Sequence, residues 1–130
     1  MPSIFTKIIA GDIPCHCIAE TADCFAFLDI RPLKAGHTLV IPKKEVDYLF
    51  DLDDQDYLAL HRFAKEIALA LKAAIPCTRI ATAVLGLEVP HAHIHLVPID
   101  HESDLRFSNP RVALTQEEFA AIADKIRGQL

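Results

Sequence analysis

The reading of this chain turns on Pro90-His91-Ala92-His93-Ile94-His95-Leu96-Val97-Pro98. Three histidines alternate with apolar residues between two prolines. In an extended segment, side chains at i, i+2 and i+4 fall on one face. His91, His93 and His95 then stand in a row, about 6–7 Å between successive Cβ atoms. Ala92, Ile94 and Leu96 turn the other way, into something apolar. A helix would scatter the three rings around its circumference. The pattern predicts a strand from Pro90 to Pro98 with an imidazole-lined face, and that face is the first candidate for an active site.

Outward from this stretch, apolar runs alternate with turn residues. Residues 79–85 read as a strand that Gly86 turns into the histidine segment. Tyr57, Leu60, Ala64, Ile67, Leu71 and Ile75 recur at helical spacing, predicting a long helix from near Asp53 to about Ala74, ended by Pro76. Residues 15–20, 24–30 and 37–42 read as three further strands, joined by the turn at Thr21-Ala22-Asp23 and by a loop over residues 31–36. Ser3 is placed to cap a short helix carrying Ile4, Phe5, Ile8 and Ile9, which Gly11 stops. Thr115-Gln116-Glu117-Glu118 is a capping box for a C-terminal helix through Phe119, Ile122 and Ile126. Residues 100–112 are polar, contain Asn109-Pro110, and read as an irregular loop. The predicted fold class is α+β: a five-stranded antiparallel sheet with one long central helix and a C-terminal helix, in a single domain over residues 1–130.

Composition bounds the function. The 130 residues are 52% hydrophobic, an apolar excess for so small a chain, and point to a subunit interface. A net charge of −5 argues against broad adhesion to nucleic acid or to an anionic membrane. The N-terminus lacks the basic region and apolar run of a secretory signal, and no apolar segment reaches the roughly 18 residues of a membrane span. On this basis Cys15, Cys17, Cys24 and Cys77 are expected as reduced thiols in a cytoplasmic protein. Cys15-His16-Cys17 lacks zinc-knuckle spacing, and no structural metal is expected there.

Two chemistries compete for aligned imidazoles. Neutral histidine is a common metal ligand, but a divalent site usually adds a carboxylate or further ligand. Glu88, Asp100, Glu102 and the remote His37 are the groups on offer. Alternatively, an imidazole nitrogen attacks phosphorus while its neighbours stabilise oxyanions and protonate the leaving group. A third reading, three strand histidines without a role, makes their register a coincidence.

The segment His-Ala-His-Ile-His-Leu-Val-Pro resembles the His-φ-His-φ-His-φ-φ signature of the histidine-triad (HIT) nucleotide-binding family, where φ is apolar. Residues 3–14 are similar to that family's N-terminal segment. Phe25-Ala26-Phe27-Leu28-Asp29-Ile30 followed by residues 35–44 is similar to its second block. The resemblance covers residues 3 to 99; the loop and helix over residues 100–130 lie outside it.

The resemblance implies a HIT-like fold, usually a homodimer, and hydrolysis or transfer at the α-phosphate of a purine nucleotide conjugate without a cofactor or metal. The substrate would be a phosphoramidate or a dinucleoside polyphosphate. It implies that His93 is the nucleophile and becomes transiently nucleotidylated. His91 orients it through its backbone carbonyl, His95 serves the leaving group, and His37 joins the triad from a neighbouring strand. It makes Asp29 the carboxylate for the ribose hydroxyls, and Ile4, Phe5, Ile8, Phe27, Leu28 and Ile30 the apolar walls of the base pocket. Arg31, Lys34, Lys43 and Lys44 read as solvated surface charges.

Three departures stand out. The polar, Gly-rich phosphate loop of the family is replaced by residues 81–89, where Leu87 and Glu88 fall at the phosphate-contacting positions. A carboxylate there is repulsive to a polyphosphate unless protonated, turned away or bridged by a cation. The Cys-x-x-Cys of zinc-binding relatives is absent from residues 4–7, and no tryptophan is present for the tail of the Hint-like branch. The alternative to an enzyme is a nucleotide-binding regulatory module with little turnover.

Overall fold

The computed structural model describes residues 2–130. Helix α1 (Ile4–Ile9) is followed by strands β1 (Cys17–Glu20), β2 (Cys24–Leu28) and β3 (Thr38–Pro42). Then come helix α2 (Asp54–Ala74), strands β4 (Arg79–Ala83) and β5 (Ile94–Ile99), and helix α3 (Gln116–Arg127). The five strands form one antiparallel sheet in the order β1-β2-β3-β5-β4. The α+β architecture predicted from the sequence is the one observed.

Local chemistry sets the helix boundaries. The Ser3 side chain accepts from Thr6 N–H at the start of α1, and Asp53 does the same for Asp56 at the start of α2. Thr115 and Glu118 form the reciprocal capping box of α3. Helix α2 stops at Ala74, ahead of Pro76, because the ring disfavours helical geometry before it.

The sheet has two unlike faces. Period-2 alternation puts Cys24, Ala26 and Leu28 of β2, with Val40, Ile94 and Leu96, against the α2 stripe of Leu60, Phe63, Ile67 and Leu71. Phe119, Ala123 and Ile126 of α3 complete this core. On the opposite face, Phe25, Phe27, Leu39 and Ile41 pack under Phe5 of α1. Cross-strand register puts Phe27, Leu39 and His95 in one row on that second face, with Leu28, Thr38 and Leu96 in the next row on the first.

The histidine stretch is extended but is a strand only from Ile94 onward, not from Pro90. Its partner explains the late start. β3 ends at Pro42, which has no N–H to continue the ladder. Ala92 N–H turns instead to the carbonyl of Val46, at 2.7 Å. Nor is the segment after β5 irregular throughout. Glu102–Asp104 is a 3-10 turn, and the Asp104 carboxylate accepts from the N–H groups of Asp100 and His101, both at 2.9 Å.

Candidate active site

The proton on each histidine ring follows from what the ring faces, beginning with His91. This ring is fully buried. Its Nε2 lies 2.8 Å from the carbonyl of Pro42, which can only accept, so Nε2 carries the hydrogen. Nδ1 then accepts from the Ser3 hydroxyl at 2.7 Å. Ser3 is held in turn, because Glu45 Oε1 accepts from its backbone N–H at 2.5 Å and from the Thr6 hydroxyl at 2.6 Å.

His93 Nδ1 lies 2.7 Å from the carbonyl of His91 and must donate to it. That leaves the Nε2 lone pair of a neutral ring unengaged. Phe5 abuts the His93 ring edge to face, with centroids 5.0 Å apart. Burial pulls the His93 pKa below the ordinary histidine value, favouring the neutral form.

A second chain of bonds fixes His37 and His95. The Leu33 N–H donates to His37 Nδ1 at 3.0 Å, so the His37 hydrogen sits on Nε2. That nitrogen donates to His95 Nδ1 at 2.9 Å, which puts the His95 proton on Nε2, the nitrogen left for the cleft. Burial is the main cause that pushes His37 down to about 3 and His95 down to about 4. Both rings are neutral at physiological pH.

His93 and His95 stand side by side, centroids 4.8 Å apart, on the wall of a cleft of about 360 Å³. Ile4 and Phe5 form another wall, and residues 85–89 form a lip. Asp29, just past the end of β2, faces the same cleft. Its Oδ1 accepts from Arg31 N–H at 2.8 Å and its Oδ2 lies 3.6 Å from His37 Nε2. Burial raises the pKa of this carboxyl, with the Arg31 N–H opposing the rise.

Asp29, His37 and His95 are the one group of potential metal ligands this close together among the described residues. Ligation through His37 Nε2 would move that ring's proton to Nδ1, against the Leu33 N–H, and leave a buried donor unpaired. The arrangement fits a hydrogen-bond relay better than a metal centre. Cys15-His16-Cys17 is no better a ligand set, since His16 Nε2 pairs with Gln116 and its ring stacks on Phe119.

Of the residues singled out in the sequence, the cleft gathers His93, His95, Asp29, Ile4, Phe5 and Glu88, with His37 directly behind His95. Four apolar candidates are not on its walls. Leu28 points into the α2-side core, as its register requires. Ile30 is 68% exposed. Phe27 lies beneath Phe5, and Ile8 packs beside it on the same cluster. The His91 ring is buried outside the cleft, so the expected surface row of three imidazoles is a row of two. Lys34, Lys43 and Lys44 pair with Asp104, Glu20 and Asp56 respectively, whereas Arg31 lines the cleft.

The structure adds Phe107 and Arg111, which no pattern in the sequence flagged. Phe107 meets the His95 ring edge to face at 4.8 Å, and the Arg111 guanidinium lies 5.6 Å from the Phe107 centroid. Both come from the loop after β5. An isolated Arg beside Asn-Pro carries no periodicity that would have located it.

Comparison with known proteins agrees with this geometry. A family model described as HIT domain matches residues 10–102. Across 132 aligned residues the sequence is 34% identical to adenosine 5'-monophosphoramidase of Schizosaccharomyces pombe, covering 100% of this chain and 99% of that protein. A Hit-like protein of Bartonella henselae, described as involved in cell-cycle regulation, superposes with a TM-score of 0.85 at 32% identity, covering 98% of this chain and 96% of that one. A zinc-bound histidine triad family protein of Mycobacterium smegmatis superposes at 0.83 with 27% identity, over 97% and 91%. By sequence match, by fold and by the histidine arrangement itself, this chain belongs to the HIT domain family.

Proposed function

We propose that this protein hydrolyses or transfers at the α-phosphate of purine nucleotide conjugates, with His93 as nucleophile. The observation that carries the reading is the 2.7 Å bond from His93 Nδ1–H to the His91 carbonyl, which reserves the Nε2 lone pair for the cleft. Nε2 forms a bond to phosphorus as the bond to the leaving group breaks. His95 Nε2–H gives its proton to the departing oxygen or nitrogen. Water then attacks the nucleotidyl-histidine, returns a proton to His95, and releases a nucleoside monophosphate with His93 restored. Asp29 accepts from the ribose hydroxyls, and Ile4 and Phe5 flank the base. No step calls for a cofactor.

The named activity of the S. pombe relative, adenosine 5'-monophosphoramidase, supports an adenosine phosphoramidate as the first substrate to try. Incubated with one, the wild-type protein should release AMP, and mass spectrometry after acid-free quenching should find a nucleotidyl adduct on the His93 peptide. His93→Ala should lose activity by several orders of magnitude, on the order of 10³-fold or more. AMP release that survives this substitution rejects His93 as nucleophile.

Exposed Leu87 and Glu88 at the lip favour a second reading, nucleotide binding with little turnover. Tight binding of AMP with no product from either a phosphoramidate or a dinucleoside polyphosphate would favour it. A second copy of the chain is the proposed macromolecular partner. β4 is an edge strand of the sheet, and Leu69 of the adjoining α2 is 65% exposed.

A further inference from the structure

The charge on the cleft walls does not match the proposed substrate until the loop after β5 is counted. A nucleotide conjugate brings at least one negative charge to the α-phosphate. In this hydrogen-bond pattern His37, His91 and His95 bring no positive charge to meet it, each with one nitrogen donating and the other accepting, and burial favours the neutral form of His93. Protonating His37 would set a second N–H against the Leu33 N–H. Asp29 and Glu88 add carboxylates to the same cleft. The family's polar phosphate loop is here Leu87-Glu88, the former 91% exposed.

No lysine lines the cleft; Arg31 and Arg111 are its two arginines. The Arg31 side chain belongs to an exposed residue, while Arg111 is partly buried and preorganised. Its Nη1 donates to the carbonyl of Arg31 at 2.7 Å and its Nη2 reaches that of Phe107 at 3.4 Å. Phe107 supports the guanidinium plane from one side and packs against His95 on the other. Val112 N–H donates to the Pro32 carbonyl at 2.9 Å and pins the loop next to Arg111. No carboxylate comes within ion-pair distance of Arg111 among the described residues. A guanidinium has five N–H donors, so its tethers leave several for an anion, and its charge is offset only through space, by the Asp29 carboxylate across the cleft.

We propose that Arg111 is the phosphate-binding cation of this site, supplied by the C-terminal loop in place of a polar loop before β5. This rests on the reading of the cleft as a nucleotide site. Arg111 lines the cleft together with Asp29 and His95, near enough for its charge to act on both, so it meets the non-bridging oxygens of the α-phosphate while Asp29 holds the ribose. A lysine at this position would restore charge but not the planar fork or its seat on Phe107.

Calorimetric titration with AMP and with adenosine separates the alternatives, since the two ligands differ only in the phosphate. Wild type should bind AMP more tightly than adenosine. Arg111→Gln should weaken AMP about 10- to 100-fold, the range for a hydrogen bond to a charged group, and leave adenosine unchanged. Arg111→Lys should recover part of the AMP affinity. Raising ionic strength should narrow the wild-type advantage of AMP and barely move that of Arg111→Gln. Equal losses for both ligands would make Arg111 a structural wall residue, and an unchanged AMP affinity would remove it from phosphate binding. Either result overturns the proposal while the nucleotide reading stands. A wild type that binds neither ligand would overturn the nucleotide reading itself.

Discussion

His37 shows how a buried group without contact to the cleft still sets its chemistry. The ring is locked as a neutral donor, and its pKa of about 3 lies far below the ordinary 6.5. In the unfolded chain the same ring takes a proton near 6.5. Between these values the unfolded state binds more protons than the folded one, so stability falls as pH falls through that window and is untouched above it. By about pH 5 His37 alone should cost roughly 2 kcal/mol. His95, with a folded pKa of about 4, acts in the same direction. Chemical denaturation at about pH 7 and pH 5 should therefore show a clear acid loss in wild type, partly flattened in His37→Asn, which cannot ionise. An equal acid loss in both proteins would mean that His37 is not held neutral by the fold. Burial also lowers the His93 pKa, which favours the neutral ring that the proposed nucleophile requires.

At the scale of elements, β3 and its approach decide where the rings stand. Gly36 adopts φ +97°, and a Cβ there would meet Ile75 Cγ1 at 3.1 Å and Leu71 Cδ1 at 3.2 Å. Gly36→Ala combines a left-handed backbone with overpacking against α2 and should cost about 1–3 kcal/mol. A thermal unfolding midpoint equal to wild type would contradict this. The period-2 pattern of the chain, with its caps and prolines, was enough to read five strands, three helices and the shared face of His93 and His95, though not the burial of His91 away from the cleft. It was not enough to show that none of Phe27, Leu28 and Ile30 reaches the cleft. Alternation splits adjacent residues between faces, and only register against β3 shows which face α1 covers. The late start of β5 was hidden for a related reason: Pro42 ends the partner strand, not the histidine strand itself. Arg111 and Phe107 were illegible because they reach the cleft through hydrogen bonds to Arg31 and contacts with His95, far away in sequence.

Over the whole molecule, apolar residues are distributed unevenly. Two clusters fill the sheet faces, yet Leu58 and Leu69 stay 60% and 65% exposed on α2. Eleven positions apart, they lie on one side of the helix. Pairing two copies across β4 and this side of α2 would cover both. Light scattering should report a dimer, and Leu69→Glu should shift it toward monomer without loss of helical signal. A monomeric wild type at micromolar concentration would reject the pairing. No described helix is long and apolar enough to cross a membrane. The backbone tethers of the site have one more consequence. Leu33 N–H and the carbonyls of Pro42 and His91 address three of the rings, and main-chain groups are common to nearly every residue type. Mutational drift at position 33 can rewrite the side chain and still pass on the same protonation of His37, so that part of the pattern is inherited through backbone shape.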